Sequence, residues 1–364
     1  MTIPRSTRRT ILAVATLFLG AVPLSSTAQD GPSLTDIVEA WLSSPHAQRG
    51  DAAFTHWDED GEVPPACATC HSGPGLIDFV GGDGTPPGID HPAPTGALVD
   101  CATCHNAASA ALATVTFPSG ATADTLGSGT ICAVCHQGRE SSDSVDAAIA
   151  GAAEDAVNAD LRFLNIHYRA AAATLLGGGA RGGYQYDGKT YAGQFSHVPD
   201  LNTCTSCHSP HTTQVALDAC TTCHKGAEDF RAIRITPTDF DADGNTAEGI
   251  HGEIATLHEA LGAALQAYAT EVAGTAIVYD SHAYPYFFID GDGDGAVTEG
   301  EAIYPNRYQT WTPRLLRAAY NYQFVAKDPG GYSHNPKYLI QLLYDSLESL
   351  GAQVSVDLSG MTRP

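Results

Sequence analysis

The chain has 364 residues, with 18 basic against 41 acidic side chains for a formal net charge of −23, and it carries 37 glycines and 21 prolines. That length allows one large or two modest domains. So acidic a surface argues against nucleic acid and anionic lipid as partners; it suits basic protein patches or cationic species such as metal ions, and plain solubility explains it equally well.

At the N-terminus, Arg5, Arg8 and Arg9 precede an apolar run over 11–22 that is short for a membrane span. Ser26-Thr27-Ala28 then offers a small-residue cleavage site. Residues 1–28 are therefore predicted to be a secretory signal, which places the mature chain in an exported compartment of a bacterium. Its removal takes away three arginines and leaves 15 − 41 = −26. No second hydrophobic run has the length of a membrane span.

Leu34, Ile37, Val38, Trp41 and Leu42 recur at helical spacing. His46 and His56 follow, and then Cys67-Ala68-Thr69-Cys70-His71. The same C-x-x-C-H frame returns at 101–105, 132–136, 204–208 and 220–224, with starts 34, 31, 72 and 16 residues apart. Its five copies use all ten cysteines: Cys67, Cys70, Cys101, Cys104, Cys132, Cys135, Cys204, Cys207, Cys220 and Cys223. C-x-x-C-H is the attachment signal for c-type haem, in which two thiols bind the porphyrin and the adjacent histidine ligates the iron. A redox dithiol or a zinc site is the alternative for one C-x-x-C. Five pairs do not divide into four-cysteine zinc sites, and neither alternative asks for a histidine after every pair. The reading is five covalent haems with His71, His105, His136, His208 and His224 as proximal ligands, and no thiol left for a disulfide.

In the 72-residue interval, Val157, Leu161, Leu164, Tyr168, Ala171 and Leu175 form a stripe that predicts a helix ended by Gly177-Gly178-Gly179. Tyr184, Tyr186 and Tyr191 between glycines suggest a short hairpin. Residues 29–230 thus form the expected five-haem region. Residues 231–364 form a helical region without a haem motif, packed on the first. In it, Ile250, Ile254, Leu257, Leu261, Leu265, Tyr268 and Val272 mark a long amphipathic helix. Thr312-Pro313 and Asn335-Pro336 each pair a capping residue with proline at the first helical position.

Between these helices, Asp290, Asp292, Asp294, Gly295, Ala296 and Glu301 fall at positions 1, 3, 5, 6, 7 and 12 of an EF-hand-like loop, the pattern that wraps oxygens around Ca²⁺. An acidic turn is the bland reading. Asp239, Asp241 and Asp243 begin a weaker version with Ile250 at position 12, where Glu248 or Glu253 would have to substitute.

Fifteen histidines less five in motifs leaves ten. His46, His56, His167, His197, His211 and His334 are the candidates for distal iron ligands, six for five irons. His91, His251, His258 and His282 are weaker, and His251 and His258 read as lying on a solvated helix face. A second histidine closes an iron and favours electron transfer; an open iron permits catalysis.

With its haem motifs, the stretches Phe54-Thr55-His56-Trp57-Asp58-Glu59-Asp60-Gly61 and His136-Gln137-Gly138-Arg139-Glu140-Ser141, and the region from Trp311-Thr312-Pro313-Arg314-Leu315-Leu316 to Ser333-His334-Asn335-Pro336, the chain resembles the exported multihaem c-type cytochromes of metal-reducing and related bacteria. The resemblance implies a mainly α fold with extensive loop and few short strands, wrapped around closely stacked bis-histidine haems. It implies electron transport in the periplasm or at the cell exterior, with redox proteins or external metal ions as partners, and homo-oligomers or filaments in some relatives. A multihaem oxidoreductase with one open haem is the alternative.

Overall fold

The fold was analysed in a computed structural model that describes Thr2 and residues 31–364 apart from Asp200; the predicted signal segment lies outside the described residues apart from Thr2. Short helices and loops dominate. The described strands are three two-stranded antiparallel pairs: Glu62–Val63 with Ala93–Pro94, Val115–Thr116 with Thr122–Ala123, and Ile277–Tyr279 with Phe287–Ile289. No described helix is long and apolar enough to cross a membrane.

The three longest helices lie where the 3.6-residue periodicity put them, at Ile250–Glu271, Pro313–Ala326 and Pro336–Leu350, and they pack on one another. Thr312 accepts the Leu315 amide at 3.2 Å and Asn335 the Tyr338 amide at 3.1 Å, so each cap satisfies an orphan donor just ahead of its N1 proline. The apolar stripes they bury include Leu257, Leu261, Tyr268, Leu315, Tyr320, Phe324, Tyr338 and Leu343. This core is continuous with Leu76, Leu126, Val145 and Ile166 from the cysteine-bearing part of the chain.

Two local expectations are corrected. The stripe over 157–175 is helical only at Ala171–Leu176. His167 and Arg169 take φ of 77° and 53°, which no α-helix accommodates. The preceding backbone is tied to other segments instead: Arg139 N donates to Ile166 O at 3.0 Å, and Arg169 N to Lys327 O at 2.9 Å. The tyrosines at 184–191 form no hairpin. Tyr184 pairs through its amide and carbonyl with the side chain of Asn321, at 2.6 and 3.0 Å, so a buried amide replaces a strand partner. The Leu34–Leu42 helix forms as predicted, with a Ser33–Asp36 capping box, but its stripe is not buried: Leu34 and Leu42 are 77% and 54% exposed.

Candidate functional site

The attachment frames sit on or beside single turns of helix, at Pro65–His71, Cys101–Cys104, Thr130–Cys135, Cys204–Cys207 and Leu217–Thr221. Cysteines three apart lie on one face of such a turn. The histidine then closes or leaves it: the amides of His105, His136, His208 and His224 donate to the carbonyl of the first cysteine in their frames at 2.8 to 3.0 Å. No two of the ten cysteines are joined in a disulfide.

Each motif histidine faces one distal candidate. The ring centroids are 5.8 Å apart for His71 and His167, 6.1 Å for His105 and His211, 6.5 Å for His136 and His46, 6.3 Å for His208 and His334, and 5.9 Å for His224 and His197. Two imidazoles bound to one metal ion from opposite sides, through nitrogens about 2 Å from it, have centroids roughly 6 Å apart. The donor set therefore fits five hexacoordinate irons. His56, the sixth candidate, packs edge-on against Trp57 at 4.6 Å and is exposed.

The far side of several rings fixes which nitrogen is offered. His71 Nδ1 lies 2.7 Å from Ala53 O, His136 Nδ1 3.1 Å from Arg169 O and His208 Nδ1 2.8 Å from Thr213 O; as donors to these carbonyls they keep Nε2 free for a metal. The environment also favours the neutral, ligating form. Burial pushes His46, His71 and His136 below the usual histidine range. Burial, reinforced by His71, Arg139 and Lys327, brings His167 down to about 4. His334 is the exception: burial disfavours its charge, yet the Asp328 carboxylate holds it above the usual range.

The sites are contiguous, in an order that differs from the sequence. Cys135 Sγ lies 3.6 Å from Thr69 O, Cys70 Sγ 4.0 Å from Val134 O and Cys204 Sγ 3.9 Å from Gly129 O, so the first motif abuts the third and the fourth abuts the turn that leads into the third. The second motif takes its facing histidine from His211, three residues after the fourth motif. Arg139 Nη1 lies 3.9 Å from Cys67 Sγ and pairs with no carboxylate among the described residues.

The weaker histidines lie elsewhere. His91 contacts Asp90 and Asp78, and His282 is exposed beside Asp280. His251 sits edge-on to Tyr332. His258 corrects the solvated-face expectation, since it stacks on Tyr322 at 3.9 Å and its Nε2 bonds Tyr322 O at 2.8 Å.

Oxygens of Asp290, Asp292 and Asp294 lie within 4.8 Å of one another. Glu301 reaches back over the loop, accepting Gly291 N at 2.6 Å and Thr298 N at 2.9 Å. The loop follows the Phe287–Ile289 strand, not a helix, so it has EF-hand spacing without the helix–loop–helix frame.

Five C-x-x-C-H turns, each with a second imidazole set opposite its histidine, define a multihaem c-type cytochrome. In keeping with that class, the chain is similar to the C-type polyheme cytochrome OmcB of Geobacter sulfurreducens strain DL-1/KN400, 28% identical over 81% of this chain and 45% of the relative. It is also similar to the C-type polyheme cytochrome OmcC of Geobacter sulfurreducens strain ATCC 51573/DSM 12127/PCA, 30% identical over 65% of this chain and 31% of the relative. The chain thus spans less than half the length of these curated relatives. No family model and no solved structure matches it.

Proposed function

We propose that the chain is an electron-transfer protein carrying five covalent haems, each attached through a cysteine pair and ligated by His71 with His167, His105 with His211, His136 with His46, His208 with His334, or His224 with His197. The observation that carries this is the fivefold pairing at 5.8 to 6.5 Å, in which no motif histidine lacks a partner. Haem so bound supplies a one-electron couple between ferric and ferrous iron. The protein's part is to fill both axial positions, fix the rings through Nδ1 and hold neighbouring sites in contact. Filling both positions favours conduction over the oxidoreductase alternative, which needs an open iron.

The export signal read at 1–28 supports a periplasmic or cell-exterior location, with redox proteins and external acceptors such as metal ions as partners. Residues 29–230 carry the attachment sites. Residues 231–364 carry none but contribute His334 as a ligand and hold Ca²⁺ in the loop of Asp290, Asp292, Asp294, Ala296 and Glu301. Haem content by the pyridine assay and intact mass tests the stoichiometry. The absorption spectrum of the oxidised protein tests ligation: five low-spin haems are expected, and a high-spin component that binds cyanide or nitrite would overturn the closed-iron reading.

A further inference from the structure

The loop at 239–248 departs from the twelve-residue calcium pattern at its last position, where Ile250 stands. Its backbone nevertheless folds as the Asp290 loop does. Asp239 accepts the amides of Ala242 and Gly244 at 2.7 and 2.9 Å, as Asp290 accepts those of Gly293 and Gly295 at 2.7 and 2.9 Å. Asp241 takes the Asp243 amide at 3.2 Å and Asp243 the Asn245 amide at 2.6 Å.

Hydrogen bonds of that kind order an acidic turn whether or not it binds anything. The buried oxygens say more. Oxygens of Asp239, Asp241 and Glu253 lie within 4.8 Å of one another, and so do oxygens of Asp241, Asp243 and Glu248. Asp241 joins the two groups, is 4% exposed, and its Oδ2 is buried without a hydrogen-bond partner. Glu248 Oε1 is also buried without one. An ionised carboxylate oxygen left so is costly unless a cation meets it. Within each trio the spacing suits one ion, because oxygens about 2.3 to 2.6 Å from Ca²⁺ lie at most about 5 Å from each other, and the two trios meet at Asp241.

The two glutamates divide the work of the missing twelfth residue. Glu253 is fully buried. Its Oε2 takes the Phe240 and Asp241 amides at 2.7 and 3.1 Å, and its Oε1 lies 2.5 Å from Arg234 Nη2, so it fixes the loop from beneath. The Glu248 side chain folds over the first turn of the Ile250–Glu271 helix and lies against Gly252, where a Cβ would push its carboxylate aside. That brings a carboxylate into the ring two positions early. Among the described residues only Arg234 pairs with any of these acids.

The geometry points to a second divalent-cation site, suited to Ca²⁺, formed by Asp239, Asp241, Asp243 and Glu248 and held by Glu253. A cation there ties the segment after the last haem motif to the start of the Ile250–Glu271 helix. The site stands independently of the haem ligation and of the Asp290 loop.

Isothermal titration of chelator-stripped, haem-loaded protein with CaCl₂ tests it, with Asp243→Asn and Asp290→Asn as variants; Asp243 is exposed, so its amide leaves the core intact. Wild type is expected to bind two Ca²⁺ per chain, each variant one, and the double variant none. Loss of binding in Asp243→Asn alone upholds this site even if the Asp290 loop proves silent. Unchanged Ca²⁺ stoichiometry in Asp243→Asn overturns it, whatever Asp290→Asn shows. Glu248→Gln serves as a second variant and should weaken the same binding event at least tenfold, with far-UV circular dichroism confirming the fold.

Discussion

His334 lies 2.8 Å through Nδ1 from Asp328 Oδ2, a carboxylate only 4% exposed, while the other ring nitrogens bonded on their far side in these pairs meet backbone carbonyls. A charge-assisted bond to an axial imidazole makes it a stronger donor and favours the ferric state. Asp328→Asn replaces that bond by a neutral one, a loss of about 1 kcal/mol, which corresponds to an upward shift on the order of 40 mV for a one-electron couple. Potentiometric titration should show one of the haems rising while the spectrum stays low-spin.

Replacing distal histidines separates ligands from bystanders. His167→Ala, His211→Ala and His46→Ala should each convert one haem to a high-spin, cyanide-binding form. His56→Ala, whose ring meets Trp57 and no motif histidine, should leave the oxidised spectrum unchanged. Paramagnetic resonance of the three variants and the control checks the pairing one site at a time.

Asn321 is fully buried, with Nδ2 donating to Tyr184 O and Ser346 Oγ, both at 3.0 Å, and Oδ1 accepting Tyr184 N at 2.6 Å. Asn321→Leu strands a buried backbone amide and carbonyl. It should cost about 2 to 4 kcal/mol, read as a lower denaturant midpoint with an unchanged slope.

Lys327 Nζ sits 3.8 Å over the Tyr168 ring and 4.2 Å over the Tyr286 ring, and burial pulls it down to about 8. A lysine whose folded value lies below its unfolded value binds fewer protons when folded, so its penalty is full below the folded value and lifts as pH rises toward the unfolded one. Between pH of about 8 and about 10, the stability of wild type relative to Lys327→Met should therefore move in favour of wild type. Denaturant melts of both proteins across that window check the sign.

The C-x-x-C-H frames, the three long helices and the Thr312 and Asn335 caps were legible because each is written in local spacing. The pairing of His46 with the third motif and of His334 with the fourth was not, since those partners lie 90 and 126 residues apart (136 − 46 and 334 − 208) and nothing local names them. The 157–175 stripe misled because an irregular chain buries single apolar residues equally well: Leu161 and the neighbouring Ile166 enter the core without a helix, while Val157 and Tyr168 of the stripe stay 45% and 47% exposed. The signal missed there was His167 itself, a ligand candidate whose position is met by left-handed backbone at 167 and 169.

The histidine pairs span overlapping stretches of chain, 46–136, 71–167 and 105–211, each opening before the previous one closes. Under the proposed ligation, iron bridging these pairs would make them interlocked cross-links, so that releasing one span would loosen little until its neighbours release too. Haem attached as proposed would stay on the chain after unfolding, and the remaining histidines would then compete for the vacant axial positions. Refolding from denaturant should accordingly stall at neutral pH in misligated states. It should speed up below a pH of about 6.5, where protonation withdraws the competitors. The order of the frames in space thus governs the route by which the array assembles as well as its final form.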